Sequence, residues 1–405
     1  MNQIHATAER QHRMLEHIKF LSQDIGSRGS CTPQEEQACR YTKDFLQSLD
    51  LNSITLDHFQ AIPSTYQPFA LAFGIALLGA LAALFIPAQT IFIVAAVLNA
   101  LGAAGMLAET NLSPNWMQWL LPKAVSHNAV GVWKPHGEVS RQVVLCAHVD
   151  THRTPIFYSS ESWHKVFSLM VQMAFASMVS GAILFVLMAF STWDWLRWLA
   201  AMIALVELLA LLLCLHADRT PFSPGANDNA SGVAVCLEIA KHLKNYPLKH
   251  TSIHFAFTGC EEVGAHGIKT FLNQYTDVID NKTVFIILDE VGLGSIRYLT
   301  RDGLVFQHPT HPQALALAHQ TASTLKTLNI HEGPGLAYTD ALVATKRGLP
   351  ALTICTLPET GSQESSHWHQ MSDTIEHVDP TSLENVFQFT WALIQKIDQS
   401  SSPTK

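Results

Sequence analysis

The chain has 405 residues, a net charge of −8, and 48% hydrophobic against only 14% charged residues, whereas soluble domains carry about 25% charge. It has no Lys/Arg-rich run or basic stripe, which excludes an electrostatic nucleic-acid binder. Its seven cysteines are odd in number and contain no CxxC pair, which argues against a disulfide framework and for a reducing compartment.

The N-terminus MNQIHATAERQHRMLEHIKFL is polar and amphipathic, without the apolar core or cleavage site of a secretory signal. Residues 8–50 read as helical, broken at Gly26–Ser30, and Leu51–Gln60 reads as a strand. The character then changes. Phe69–Ile86 and Ile91–Leu107 are uncharged apolar runs joined by a turn at Pro87–Thr90. Val166–Phe190 and Trp195–Leu215 are a third and a fourth apolar run. Crossing a hydrocarbon core takes about 20 residues and at least about 17. A buried soluble hairpin is the alternative, but two adjacent uncharged runs are rare in soluble cores. Trp193, Trp195 and Trp198 beside Asp194 and Arg197 look like an interfacial aromatic belt. Two transmembrane hairpins, four helices, are therefore expected. Glu207 lies inside the fourth run, where an ionisable side chain is costly; Gln172 and Asn99 are its candidate partners. Ser177 and Gly181, four apart, suit close helix packing.

The remainder alternates strands and helices: Gln142–Ala147 (strand), Ser231–Leu243 (helix, with Asn227, Asp228 and Asn229 as cap candidates), Thr251–Thr258 and Thr283–Leu288 (strands), Pro312–Leu325 (helix), Ala351–Cys355 (strand) and Ser382–Ile397 (helix). This alternation predicts an α/β fold, a mixed, largely parallel central sheet with helices on both faces. This α/β domain would comprise residues 1–68, 108–165 and 216–398, with hairpins 69–107 and 166–215 inserted and a disordered tail 399–405.

Strand ends carry the chemistry. VVLCAHVDT delivers His148 and Asp150; a strand-end histidine is a plausible metal ligand, and an aspartate two residues on can orient it. GANDNASG (225–232) presents Asp228 in a loop of small residues, and its two oxygens can bridge two cations. FAFTGCEEVGAHG (255–267) ends a strand in Glu261-Glu262; like charges at a buried strand end need a cation or a proton, and the pair can divide metal binding from proton transfer. TVFIILDEVG delivers Asp289, and HWHQMSDT offers His367 and His369. Cys260 lacks a His/Asn partner pattern for a thiol mechanism. His152 and His266 read as supporting or surface residues.

The order HxD, GANDNASG, EE, D and HxxxDT resembles that of the di-zinc aminopeptidases of the leucyl aminopeptidase and aminopeptidase Y type, metallopeptidase family M28, over about Ile18–Ile397 outside the apolar runs. The resemblance implies a zinc exopeptidase-like fold and two zinc ions. It implies His148 and Asp289 on one ion, Glu262 and His369 on the other, Asp228 bridging them, and Glu261 as general base with Asp150 in the catalytic group. His369 rather than His367 matches the family position, because Asp373-Thr374 follows at the family's distance; Asp289 rather than Glu290 matches, because it ends the strand. Asp340 in YTDALVATKRGLP resembles a segment that shapes the substrate pocket. The inserted hairpins depart from the usual members and put the usual substrate range in doubt.

The expectation is a membrane-anchored di-zinc aminopeptidase acting on peptides, with the lipid bilayer as a second partner and no nucleic acid. A carboxypeptidase or amide deacylase on the same site, or a non-catalytic receptor-like protein, are the alternatives. Both hairpins must return to one side, flanked there by Lys123, Arg153, Lys165 and Arg219, which favours a cytoplasmic catalytic domain. About 15 residues separate Asp150 from Lys165, which is expected to keep the active-site mouth near the bilayer surface.

Overall fold

The computed structural model describes residues 2–358 and 366–400. In chain order the elements are α1 (Asn2–Lys19), α2 (Pro33–Ser48), β1 (Ser53–Ala61), α3 (Tyr66–Phe85), α4 (Gln89–Thr110), α5 (Met117–Leu120), β2 (Ala124–Trp133) and β3 (Arg141–His148). There follow α6 (Glu161–Phe190), α7 (Leu196–Ala217), α8 (Gly232–Asn245), β4 (Thr251–Thr258), α9 (His266–Gln274), β5 (Val284–Leu288), β6 (Ser295–Asp302) and β7 (His308–Pro309). The chain closes with α10 (Pro312–Ala322), β8 (Ile330–Pro334), α11 (Asp340–Lys346), β9 (Ala351–Leu357) and α12 (Pro380–Gln399). These elements form two compact units. The first holds residues 1–63, 124–152 and the chain from Phe222 onward; the second holds residues 64–123 and 153–221.

The first unit is built on a nine-stranded mixed sheet of order β1-β2-β4-β3-β5-β9-β6-β7, with β8 paired to β6. Its centre, β4-β3-β5-β9, is parallel. These strands are near-continuous apolar runs (VVLCA, FAF, VFIIL), as parallel strands covered on both faces must be. Alternation along a strand sends neighbours to opposite faces. Leu145 and Ala147 join a core with Val233 and Leu237 of α8, Met14 and Ile18 of α1, and Phe389 and Leu393 of α12. Cys146, between them, faces the other way, onto Asp340 at the start of α11.

Several boundaries differ from the sequence expectation. β2 and β6 occupy stretches where none was expected, because AVSHNAVGVW and SIRYLTRD mix polar with apolar residues too evenly to stand out; each is held by pairing on both sides. Of the three cap candidates before α8, Asn229 does the capping, its Oδ1 accepting from the Gly232 N–H, while Asp228 is turned to other use. Gln399 ends α12 and Ser400 caps it, so these two residues of the expected tail are ordered, and its residues 401–405 lie outside the described residues.

The second unit is a bundle of α3, α4, α6 and α7 with the short α5. The four long helices are each long and apolar enough to cross a membrane. They are apolar all round: Leu78, Phe85, Ile183, Phe190, Trp198 and Met202 point outward while Ala80, Phe185 and Ala200 fill the interior. A continuous exposed apolar surface of this kind is not a feature of soluble bundles. α6 starts at Glu161, ahead of the apolar run, because Ser160 caps it by accepting from the Trp163 N–H. Gly181 packs so closely on Asn99 that a Cβ would overlap the amide, as expected of a small residue at a helix crossing. The expected pairing of Glu207 is not formed. Asn99 donates to the Ala76 and Ala95 carbonyls and Gln172 to Ser168 of its own helix. Glu207 is fully buried, and neither of its oxygens has a hydrogen-bond partner among the described residues.

Candidate metal centre

Three adjacent parallel strands deliver their carboxyl ends to one place. His148 ends β3, Glu261 and Glu262 follow β4, and Asp289 follows β5. This is the edge at which open α/β sheets gather ligands. Two loops close over it, one carrying Asp228 ahead of α8 and the other carrying His369 ahead of α12. The Asp228 loop starts at Gly225, whose φ of +64° and contacts with Thr151 and Arg28 leave no room for a side chain. The Asp228–Asn229 peptide bond is cis.

The donor atoms converge in two groups that share Asp228. His148 Nε2 lies 3.3 Å from Asp228 Oδ1 and 3.3 Å from Asp289 Oδ1. His369 Nε2 lies 3.3 Å from Asp228 Oδ2 and 3.2 Å from Glu262 Oε2. A tetrahedral ion with bonds of about 2.0–2.1 Å separates its ligand atoms by about 3.3 Å, so both groups have the edge length of a zinc site. His148 Nδ1 is 3.1 Å from the Asp150 carbonyl, which fixes the ring and leaves Nε2 turned to the carboxylates. His152, Glu262 and His369 also cluster within ligand reach, with the His152 ring stacked on His369 at 3.7 Å. His152 is therefore a buried member of the site rather than a surface residue.

The electrostatics call for cations. Burial above all, then Asp340, Asp289 and Glu262, push Glu261 well above the usual carboxylate range, against the pull of His148. Burial and then Asp228 do the same to Glu262. Burial opposes the charge on Asp228, but His148 and His369 hold it below the usual range. His148 is raised well above its ordinary value despite its burial, by Asp150, Asp228 and Asp289. Glu261 Oε1 and Glu262 Oε1 are buried without a hydrogen-bond partner among the described residues. So many carboxylates in one buried volume are stable only with bound protons or cations. The donor set of imidazole and carboxylate suits zinc.

Behind these side chains stands a set of braces. Asp150 stands against His148 with its carbonyl 3.1 Å and its carboxylate 3.6 Å from Nδ1, and the carboxylate also accepts the Glu261 and Glu262 amides (3.1 and 3.2 Å) and the Ser30 hydroxyl (2.7 Å). Asp373 accepts the Asn227 and Asp228 amides at 2.7 and 3.0 Å, which pins the Asp228 loop. Arg28, fully buried, donates to five carbonyls, those of Leu21, Gly26, Val149, Pro224 and Gly225. Sequence reasoning missed Arg28, Ser30 and the bracing role of Asp373. The Gly26–Ser30 break was the only signal for the first two. His367 stands off the centre, against Ser372 and His377, and Glu290 belongs to none of the possible metal-donor clusters among the described residues. Asp340 accepts the Thr258 hydroxyl at 2.7 Å beneath Glu261.

The sequence profile described as Peptidase family M28 matches residues 207–394, which include Asp228, Glu261, Glu262, Asp289 and His369. That stretch, a little under half of the chain, is similar to peptidase family M28. Among curated proteins, the chain is 27% identical over 198 residues to the probable lipoprotein aminopeptidase LpqL of Mycobacterium tuberculosis, covering 42% of the chain and 38% of that protein. It is 41% identical over 78 residues to aminopeptidase YwaD of Bacillus subtilis, covering 19% and 17%. The chain thus spans well under half the length of the curated relatives it matches. Its fold is that of the zinc aminopeptidase BSAP from Bacillus subtilis, with a TM-score of 0.55, 16% identity, and 95% and 94% of the two chains covered.

Proposed function

We propose that the chain is a membrane-anchored exopeptidase that holds two zinc ions and removes residues from the free amino terminus of peptides. The observation that carries the reading is the placement of Asp228, with one oxygen toward His148 and the other toward His369. His148, Asp289 and Asp228 would hold one ion, and Glu262, His369 and Asp228 the other. Zinc bound there would polarise the scissile carbonyl and lower the pKa of an attacking water toward neutrality. Glu261, next in chain to Glu262 and buried beside the site, takes the proton from that water and returns it to the leaving amine. Asp150 holds the Glu261 and Glu262 amides and the His148 ring, so it sets the position of base and ligands together. The remaining carboxylates would receive the substrate's ammonium group, which limits cleavage to the terminal residue.

Residues 69–107 and 166–215 are proposed as transmembrane hairpins inserted in the peptidase domain, with that domain on the cytoplasmic side and membrane-associated peptides among its substrates. The four apolar helices and their exposed apolar surface support the membrane hairpins, and Lys123, Arg153, Lys165 and Arg219 flanking them favour the cytoplasmic side. A panel of free-amine, N-blocked and C-blocked peptides tests the activity on zinc-loaded protein. Preference for a C-terminal residue or an N-acyl group would replace the aminopeptidase reading with carboxypeptidase or deacylase action. A reporter fused after Lys405 tests orientation; activity only outside the cytoplasmic membrane would overturn it.

A further inference from the structure

Two cysteines that the proposed chemistry does not use meet beside the proposed base. Cys31 follows Ser30, the partner of Asp150, and Cys260 directly precedes Glu261. Their sulfurs are 3.3 Å apart, closer than the roughly 3.5–4.0 Å at which non-bonded heavy atoms usually settle. Both residues sit in the left-handed region, with φ of +61° and +54°, a conformation non-glycine residues hold only where their surroundings impose it. One side chain imposes it on both. Glu35 is fully buried; its Oε2 accepts the Cys31 N–H and its Oε1 the Cys260 N–H, each at 2.9 Å. A Cβ on Gly259 would run into Glu35 and the Ser126 hydroxyl, so only glycine lets the carboxylate reach the Cys260 amide. Cys31 is half-buried and Cys260 is sealed, so one thiol is reachable and the other waits behind it. The same three residues could be read as a metal site. Each Glu35 oxygen already accepts an amide, which weakens it as a further ligand, and the cluster offers three donors where a structural zinc takes four.

We propose that Cys31 and Cys260 are a redox modification site at which a peroxide-class oxidant forms an intramolecular disulfide that displaces Glu261. The Cys31 sulfur attacks one peroxide oxygen and the O–O bond breaks, giving a sulfenic acid and water. The Cys260 sulfur then attacks the Cys31 sulfur, the S–O bond breaks, and a second water leaves. Two thiols and one hydrogen peroxide become one disulfide and two waters. The sulfurs must close from 3.3 Å to about 2.05 Å. The Cys260 backbone is tied by its N–H to Glu35 and by its carbonyl to the His266 N–H at 2.9 Å, so closure strains these bonds and pulls on the segment that runs directly into Glu261. The displacement passes to Glu261, and a misplacement of about 1 Å at a reacting group can cost 10²-fold. That last step rests on the assignment of Glu261 above; the disulfide does not.

The test treats the purified, zinc-loaded full-length protein with hydrogen peroxide. It reads non-reducing peptide maps by mass spectrometry alongside peptide turnover. The expected result is a Cys31–Cys260 linked peptide, turnover down at least tenfold, and recovery with a thiol reductant. Cys31→Ser should form no link and lose less than twofold under the same treatment, and Cys260→Ser gives the same readout from the other side of the pair. Folded, oxidised wild type without the link overturns the proposal. So does a link that leaves turnover unchanged, or a third metal ion per chain that Cys31→Ser loses. Reduced protein that hydrolyses no peptide would sink the functional reading instead, and the linked peptide would still decide the cysteine pair.

Discussion

Asp373 touches no proposed metal position, yet the structure makes it a determinant of metal affinity. Its two oxygens accept the Asn227 and Asp228 amides at 2.7 and 3.0 Å, and the residue is 1% exposed. Asp373→Asn keeps the shape but replaces one oxygen by NH2, so one amide loses its acceptor and faces a donor. A buried donor left unsatisfied costs about 1–3 kcal/mol. That cost is relieved if the Asp228 loop moves, and movement takes the bridging carboxylate away from both histidines. The penalty therefore divides between folding and metal binding. If most of it falls on binding, about 1.4–2.8 kcal/mol corresponds to a 10–100-fold weaker zinc affinity. Competition against a chromophoric chelator measures the affinity, and thermal melts with and without zinc separate the two shares. Asp373→Ala should be worse, since both amides lose their acceptor. An Asp373→Asn protein with wild-type zinc affinity and wild-type melting in both states would refute the bracing argument.

Glu261→Gln should keep its zinc and lose turnover by the ~10²–10⁴-fold typical of general-base loss, whereas Glu262→Gln should lose zinc first; metal analysis beside kinetics shows whether these roles are exchanged. Arg28→Met strips donors from five carbonyls, and at about 1–3 kcal/mol for each carbonyl that stays buried and unpaired the loss rivals the whole stability of a domain, so insoluble or strongly destabilised protein is expected, read by melting temperature. His17 is pushed down to about 4 by burial, then by Lys241 and Arg13, while its Nδ1 bonds the Tyr41 hydroxyl. Its folded value lies below the unfolded value of 6.5, so the unfolded chain takes up a proton that the folded chain refuses. Stability is then full above about pH 6.5 and falls by up to about 3 kcal/mol as the pH drops to 4. His17→Gln should flatten the pH dependence of stability between those values; an unchanged slope would show that His17 does not titrate in this way.

Local patterns in the sequence determine the elements that matter most. VVLCA, the run from Thr251 to Thr258, and VFIIL are too apolar and too short for anything but buried strands, and the structure has them as β3, β4 and β5. The four apolar runs likewise fold as helices, because their length and composition suit little else. The sequence also marks His148, Glu261, Glu262 and Asp289 as strand-end residues, since each follows an apolar run directly or within a few residues. It carries no information on strand order. That β4, β3 and β5 lie side by side, and so bring those residues within reach of one another, is decided by pairing between segments over a hundred residues apart. The same holds for every brace. Arg28 looks like an ordinary surface arginine until Val149, Pro224 and Gly225 turn their carbonyls to it. Asp150 and Glu35 read as acceptors without partners until the Glu261 loop brings its amides to them. Periodicity and composition are properties of a few consecutive residues, so they are legible along the chain; a hydrogen bond between distant segments exists only once the core has packed and set the distance between them.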